Sequence, residues 1–598
     1  MKRNLVLLIL VFFQIGCATL QGGPHEQAPP VVSAESRRLG EIFERYFEAY
    51  LELFPLFATQ IGDHRFDDRL AINISADHRA RQRKLYRETL DRLSAIKIDD
   101  LTVRERLYHE TLVRALRRRE EAAKFPGYLL PVRQLGSLPI EFPLLGSGSG
   151  SHPFKTVADY ENFLKRIAGF EAWVETAIAN MREGIQRQIV QPRVVIERTL
   201  PQLEAMVVKD AKDSLFYQPI KRLPGQFTDA ERDRLAAAYT DAIERKILPT
   251  YRKLVTFIRD EYLSRTRDTI AWSELPGGHA WYDYLVRNQT TTDLTPDEIF
   301  LLGTDEIARI KQEMERVKER SNFQGTLAEF SRHLSKTAPR PFASRENLIE
   351  GYEAIRQTVT PHLSQLFGYV PRAPFEVRTI EEFRERSAPS QYWSASPDGS
   401  RPGIFYVNAS GIEKNPRRAS ESLFLHEAVP GHHFQISLQQ EQKELPRFQR
   451  FGGYTAFVEG WALYAESLGG ELGLYKEPDQ YFSRLTSELF RAVRLVVDVG
   501  LHRKGWSREQ AMRFMMDTTM TGESGAALEI DRYIANPAQA LAYKIGQLKI
   551  SAIRAKAEKA LGSKFDMRAF HDELLKDGAL PLNILETKMD RWIEQVRR

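Results

Sequence analysis

His426-Glu427-Ala428-Val429-Pro430-Gly431-His432-His433 places three of the chain's 13 histidines within eight residues. The residues before it, Ser420-Glu421-Ser422-Leu423-Phe424-Leu425, read as the start of a helix. A metal-binding helix commonly carries His-Glu-x-x-His. Two histidines four apart are offset by about 40° on one face and reach one zinc ion, and the intervening Glu acts as base on the water that the ion holds. Here the fourth position is Pro430. On an undistorted helix His432 would point to the wrong side, and His433 would lie roughly 10 Å too far along the axis. Pro430 removes a backbone donor and presses its ring on the preceding turn, while Gly431 admits unusual dihedrals. The Pro-Gly pair is therefore the expected device for breaking the helix and folding a histidine back, with His432 and His433 both open as second ligand.

A third ligand is required. Tyr454 to Glu466 reads as a second helix, with Glu459 and Glu466 seven apart on one face of an otherwise apolar stretch. Carboxylates are rare in such surroundings unless paired or bound to metal. One as ligand and the other behind it would account for both.

Outward from this pair the chain is helical in pattern. Leu39, Ile42, Phe43 and Tyr46 recur at helical spacing, as do Ile307, Ile310, Met314 and Val317. Capping boxes are expected at Thr228/Glu231, Thr295/Glu298 with Pro296, and Ser507/Gln510. Strand signals are few: Ile404 to Val407, and Phe375 to Val377. The fold class is mainly α with a small sheet near the zinc helix. The 85 basic and 80 acidic residues nearly balance, for a net charge of +5. No long basic stripe is present, which argues against a nucleic-acid partner. Arg117-Arg118-Arg119 reads as a solvated helix face.

At the N-terminus, Lys2 and Arg3 precede an apolar run from Leu5 to Phe13, too short to span a membrane and suited to a secretory signal. Gln14-Ile15-Gly16-Cys17 resembles a bacterial lipobox, although Gln14 replaces the usual aliphatic residue. Residues 1–17 are thus the expected signal peptide, Cys17 (the sole cysteine) the lipidation site, and 18–32 a flexible tether. The resemblance implies attachment to the envelope membrane through lipid alone, and Ala18 after the cysteine implies the outer membrane, facing the periplasm.

The motif His-Glu-x-x-Pro-Gly-His, followed by Phe457-Val458-Glu459-Gly460-Trp461-Ala462, resembles the bacterial domain-of-unknown-function family 885. Pro55 to Gly62, Leu275 to Gly278, Trp281-Tyr282, Thr290 to Thr295, Asp398 to Gly403 and Arg532-Tyr533 carry the likeness along the chain. That family is similar in fold to helical gluzincins such as Thermus-type carboxypeptidases, thimet oligopeptidase and angiotensin-converting enzyme. The resemblance implies two helical lobes, 33–290 and 291–598, around a deep cleft. It implies one zinc ion held by His426, His432 and Glu459, with Glu427 as base. Glu466, Asp498 and His433 are expected behind the ligands. Tyr533, with His502, is the favoured support for an oxyanion, and Tyr543 is a second candidate; His502 could equally be a core histidine. Arg532 and Lys544 could hold a substrate carboxylate. Asn408 could touch substrate at the end of the 404–407 strand, which by analogy would align a peptide along its edge. The expected function is zinc-assisted hydrolysis of short peptides. The alternatives are a catalytically weak peptide binder, or a zinc hydrolase of non-peptide amides or esters.

Overall fold

The computed structural model describes residues 33–337, 342–381, 385, 389–397, 399, 401–414 and 416–598. The expected signal segment, Cys17 and the tether lie outside the described residues, as do Asp398 and Ser400. The fold is mainly helical with one three-stranded sheet. The helix Ala34–Leu53 opens on Ser33, whose hydroxyl accepts from the Ser36 N–H, and it buries Leu39, Ile42, Phe43 and Tyr46. The capping boxes form at Thr228/Glu231, Thr295/Glu298 and Ser507/Gln510. Each satisfies amide groups that a helix start leaves without partners. The stripe from Ile307 to Val317, on the helix Pro296–Arg320, is core against Leu489, Val493 and Val496 of the helix Pro478–Arg503. Among the described residues, no helix is long and apolar enough to cross a membrane.

One hydrophobic core joins residues between Leu39 and Leu129 with residues between Trp272 and Ile593. A second core occupies residues between Val132 and Tyr262. Residue 290 therefore does not mark a break between cores. The N-terminal helices Ala34–Leu53 and Val103–Ala122 share theirs with the His426 and Glu459 segments.

The sheet has the order β1-β3-β2, with β1 Phe375–Thr379, β2 Gln391–Trp393 and β3 Gly403–Val407. β3 is parallel to β1 and antiparallel to β2. It is buried throughout, as its unbroken apolar run requires of a central strand. This corrects the expectation that residues 404–407 offer a free edge, because both edges of β3 are already paired.

The helices Thr455–Glu466 and Leu541–Leu561 cross with their backbones in contact at two glycines. A Cβ on Gly546 would fall 1.8 Å from the Ala456 carbonyl oxygen, and one on Gly460 would fall 2.4 Å from the Gly546 Cα. This approach sets the start of the second helix, including Tyr543, beside His426.

Candidate metal centre

Ser420 caps the helix Glu421–Glu427 by accepting from the Leu423 N–H, and His426 and Glu427 are that helix's last residues. The chain breaks at Ala428, the Val429–Pro430 bond is cis, and a new helix, His432–Glu441, follows Gly431. Trp461 Nε1 donates to the Pro430 carbonyl at 2.7 Å, fastening the break to the Glu459 helix. A Cβ on Gly431 would lie 2.0 Å from the His426 carbonyl oxygen and 2.2 Å from that of Leu425. Only glycine fits this doubling back. It brings the His432 ring to 4.8 Å from that of His426, nearly perpendicular to it at 83°.

Glu459 meets both rings. Its Oε2 is 3.3 Å from His432 Nε2 and 3.7 Å from His426 Nε2. The three residues each offer one donor atom, all within 4.8 Å of one another. Glu459 Oε2 is buried and has no hydrogen-bond partner. Two imidazole nitrogens and an orphaned carboxylate oxygen facing a common point fit a divalent cation with N/O ligands. The electrostatics agree. Burial alone would lower the His426 pKa, yet Glu459 and Glu466 lift it to about 9. Burial would raise the Glu459 pKa, yet the two histidines hold it well below the usual carboxylate range. The cluster demands positive charge, which a proton or a divalent ion can supply.

Glu466 stands directly behind His426. Its Oε1 is 2.9 Å from His426 Nδ1, leaving Nε2 for the common point. Ser487 donates to Glu466 Oε2 at 3.1 Å, and Arg491 stands 3.7 Å from Oε1. Burial is again outweighed: Arg491 and His426 keep this carboxyl below its ordinary pKa. Ser487 and Arg491 were not expected. Their signal in the sequence is a pair of polar residues four apart on a helix whose buried positions are otherwise largely apolar. Glu427 is 7% exposed, and burial raises its pKa against the pull of His426 and His432.

Several expected roles are corrected. His433 turns toward the sheet, with Nδ1 3.0 Å from the Tyr392 hydroxyl and its ring 4.6 Å from Phe375, and so does not stand behind His426, His432 or Glu459. Burial holds it neutral, with a pKa of about 4. Asp498 does not contact His426 or His432 either. It accepts from the Tyr282 hydroxyl at 2.7 Å and from the Ala538 N–H at 3.0 Å. His502 is a core histidine, with Nε2 bonded to the Tyr533 carbonyl at 3.0 Å and Nδ1 accepting from the Trp272 N–H. The Tyr533 hydroxyl is committed to Glu529 at 2.6 Å and accepts from Arg494, and the ring is fully buried. Lys544 is sealed between Glu488 at 2.7 Å and Glu306 at 2.8 Å, out of reach of a substrate. The Asn408 amide donates to the Glu385 carbonyl at 2.8 Å, and its oxygen accepts from the Ser410 N–H at 2.9 Å, so the side chain shapes its own loop. Tyr543 is the phenol that the fold brings to the cluster. Its ring lies parallel to that of His426 at 6.4 Å, and its hydroxyl accepts from Arg532 at 3.3 Å.

Burial pushes the Asp498 carboxyl up to about 7, against an ordinary 3.8. The folded state then keeps a proton that the unfolded chain releases. The associated stability is fully present below pH 3.8 and is lost as pH rises through about 7. Asp498→Asn, neutral at every pH and still able to accept from Tyr282, has no such dependence. Its melting temperature should fall below wild type near pH 5 and match or exceed it at pH 8. Parallel curves across that range would reject the assignment.

Residues 55–589 match the family model described as "Bacterial protein of unknown function (DUF885)". The chain belongs to this family. A crystal structure of a protein from Colwellia psychrerythraea, described as a "putative lipoprotein", is 28% identical, with a TM-score of 0.89 over 94% of this chain and 100% of that one. A second structure, "a putative lipoprotein of unknown function" from Shewanella oneidensis, is 18% identical, with a TM-score of 0.71 over 92% of this chain and 99% of that one. The latter likeness is one of fold alone. No curated protein matches the chain.

Proposed function

We propose that this family member is a zinc-dependent hydrolase of short peptides at the bacterial envelope. The observation that carries the reading is the convergence of His426 Nε2, His432 Nε2 and the orphaned Glu459 Oε2 beside the buried Glu427. A zinc ion held by these three would supply Lewis acidity toward a water and a substrate carbonyl. Glu427 takes the proton of the attacking water and returns it to the leaving amine, a task suited to a carboxyl whose pKa is raised by burial. Glu466 fixes the His426 ring through Nδ1. The Tyr543 hydroxyl accepts from Arg532, which leaves its own O–H free to donate to the developing oxyanion. The resemblance to helical gluzincins supports peptides as substrates. An envelope location is supported by the lipobox-like segment and by neighbours described as putative lipoproteins.

The test is elemental analysis of the chain starting after Cys17, with His432→Ala and His433→Ala beside the wild type. About one zinc per chain is expected in the wild type and in His433→Ala, and little in His432→Ala. A wild type that takes up no zinc on reconstitution would sink the reading.

A further inference from the structure

The helices Ala76–Ser94 and Val103–Ala122 form a hairpin in which cations predominate. Residues 76–124 hold 14 basic and 9 acidic side chains, a net +5 that equals the charge of the whole chain. The remaining residues are together neutral, so the excess is local. Of the run Arg117-Arg118-Arg119, expected as a solvated face, only Arg117 is exposed. Arg118 and Arg119 are partly buried, and Arg119 donates to the Tyr46 hydroxyl at 2.5 Å. A cleft of about 660 Å³ opens on this hairpin, lined by Arg83, Arg87, Arg117 and Lys124 together with Glu120 and Glu121. Both acids are already engaged: Glu120 accepts from Arg87 at 3.3 Å, and Glu121 accepts from Arg287 at 2.9 Å. Arg83, Arg117 and Lys124 have no side-chain hydrogen bond or ion pair among the described residues. Three unpaired cations around one concave surface repel one another, and an anion seated among them relieves that repulsion. Guanidinium forks and an ammonium group suit the oxygens of a phosphate.

The position of the cleft points to the source of that phosphate. The described chain enters the fold at the turn that closes the same hairpin. Ser33 Oγ donates to the Asp100 carbonyl at 3.2 Å, Glu35 accepts from the Lys97 N–H at 3.0 Å, and Arg38 donates to the Ala95 carbonyl at 3.1 Å. Arg87 and Arg117 lie about 10 and 21 Å along their helices from that turn. The expected lipid anchor, Cys17, is separated from Ser33 by residues 18–32, which lie outside the described residues. A chain of that length reaches at most about 50 Å. An anchor at Cys17 therefore keeps the hairpin near the bilayer, where the local concentration of headgroups around the cleft is high.

We propose that the cleft between Arg83, Arg87, Arg117 and Lys124 binds phosphate groups of anionic lipid headgroups and seats the hairpin on the membrane surface. This rests on the envelope location in the reading above and on no step of hydrolysis. The headgroup phosphates supply the counter-charge that the three unpaired cations lack, and the negative surface potential of the bilayer draws in the rest of the hairpin.

Binding is measured on the metal-free chain starting after Cys17, by co-sedimentation with phosphatidylcholine vesicles with and without about one-third phosphatidylglycerol, and by melting temperature in inorganic pyrophosphate. The protein should sediment with the anionic vesicles at low salt and be released at about 0.5 M salt, where screening confines each charge to about 4 Å. Neutral vesicles should leave it in solution. Arg117→Glu combined with Lys124→Glu should weaken binding by about 10- to 100-fold. Both side chains are exposed, so the melting temperature should hold. Lys209→Glu combined with Lys221→Glu, also exposed and outside the hairpin, changes the net charge equally and should bind as the wild type does. Equal loss in the two double variants would reduce the attraction to net charge and overturn the cleft. Equal sedimentation with neutral and anionic vesicles, or none with either, overturns it too. Stabilisation by pyrophosphate without vesicle binding would assign the cleft to a soluble phosphate compound and overturn the membrane reading. The use of metal-free protein keeps the hydrolase reading separate: zinc uptake and cleavage can fail while vesicle binding stands, and the reverse.

Discussion

Glu427→Gln should lower peptide turnover by about 10²- to 10⁴-fold with the zinc content unchanged. The substitution preserves shape at a side chain only 7% exposed. It also replaces a carboxyl whose burial opposes ionisation with a neutral amide, so the fold should not suffer. What is lost is the capacity to accept and return a proton. Glu427 is not among the three residues whose donor atoms converge, and the metal should therefore stay. The loss should appear in kcat, because positioning by the neighbouring side chains is untouched. Loss of zinc together with activity would instead make Glu427 a ligand. Full activity with zinc retained would remove it from the mechanism.

How much of this centre was legible depended on whether a residue's partner lay nearby in sequence or in a recognisable pattern. His426, Glu427, His432 and Glu459 stood out because Pro430-Gly431 interrupts a metal-helix pattern and two glutamates sit on one apolar face. The capping boxes and core stripes were equally local. Which carboxylate faces which histidine was not local. Glu466 and Asp498 both sit in apolar helices, but Glu466 meets His426 while Asp498 meets Tyr282 and the Ala538 turn. Lys544 and Tyr533 looked available because the groups that occupy them, Glu306, Glu488, Glu529 and Arg494, lie on other turns and other helices. β2 is three residues long, too short for an alternation to register, and without it β3 reads as an edge.

Gly431→Ala should abolish zinc binding without touching a ligand. An alanine Cβ would sit 2.0 Å from the His426 carbonyl oxygen and 2.2 Å from that of Leu425. Both are backbone atoms of the helix that carries His426, so no side-chain rotation can relieve the contact. The chain must move, and the two ends of the moving segment are His426 and His432. Their Nε2 atoms, 3.7 and 3.3 Å from Glu459 Oε2, then no longer meet it at one point. Overpacking of this kind costs about 1–3 kcal/mol, which a chain with cores this extensive should survive. The variant is therefore expected to be folded and slightly less stable, with helical content near wild type and little bound zinc. Gly470→Ala provides the control, since a Cβ there meets nothing within 4 Å; it should bind zinc as the wild type does. If Gly431→Ala binds zinc normally, the Pro-Gly break is not what holds the two histidines together, and the geometry of the centre must be set by Trp461 and the Glu459 helix instead.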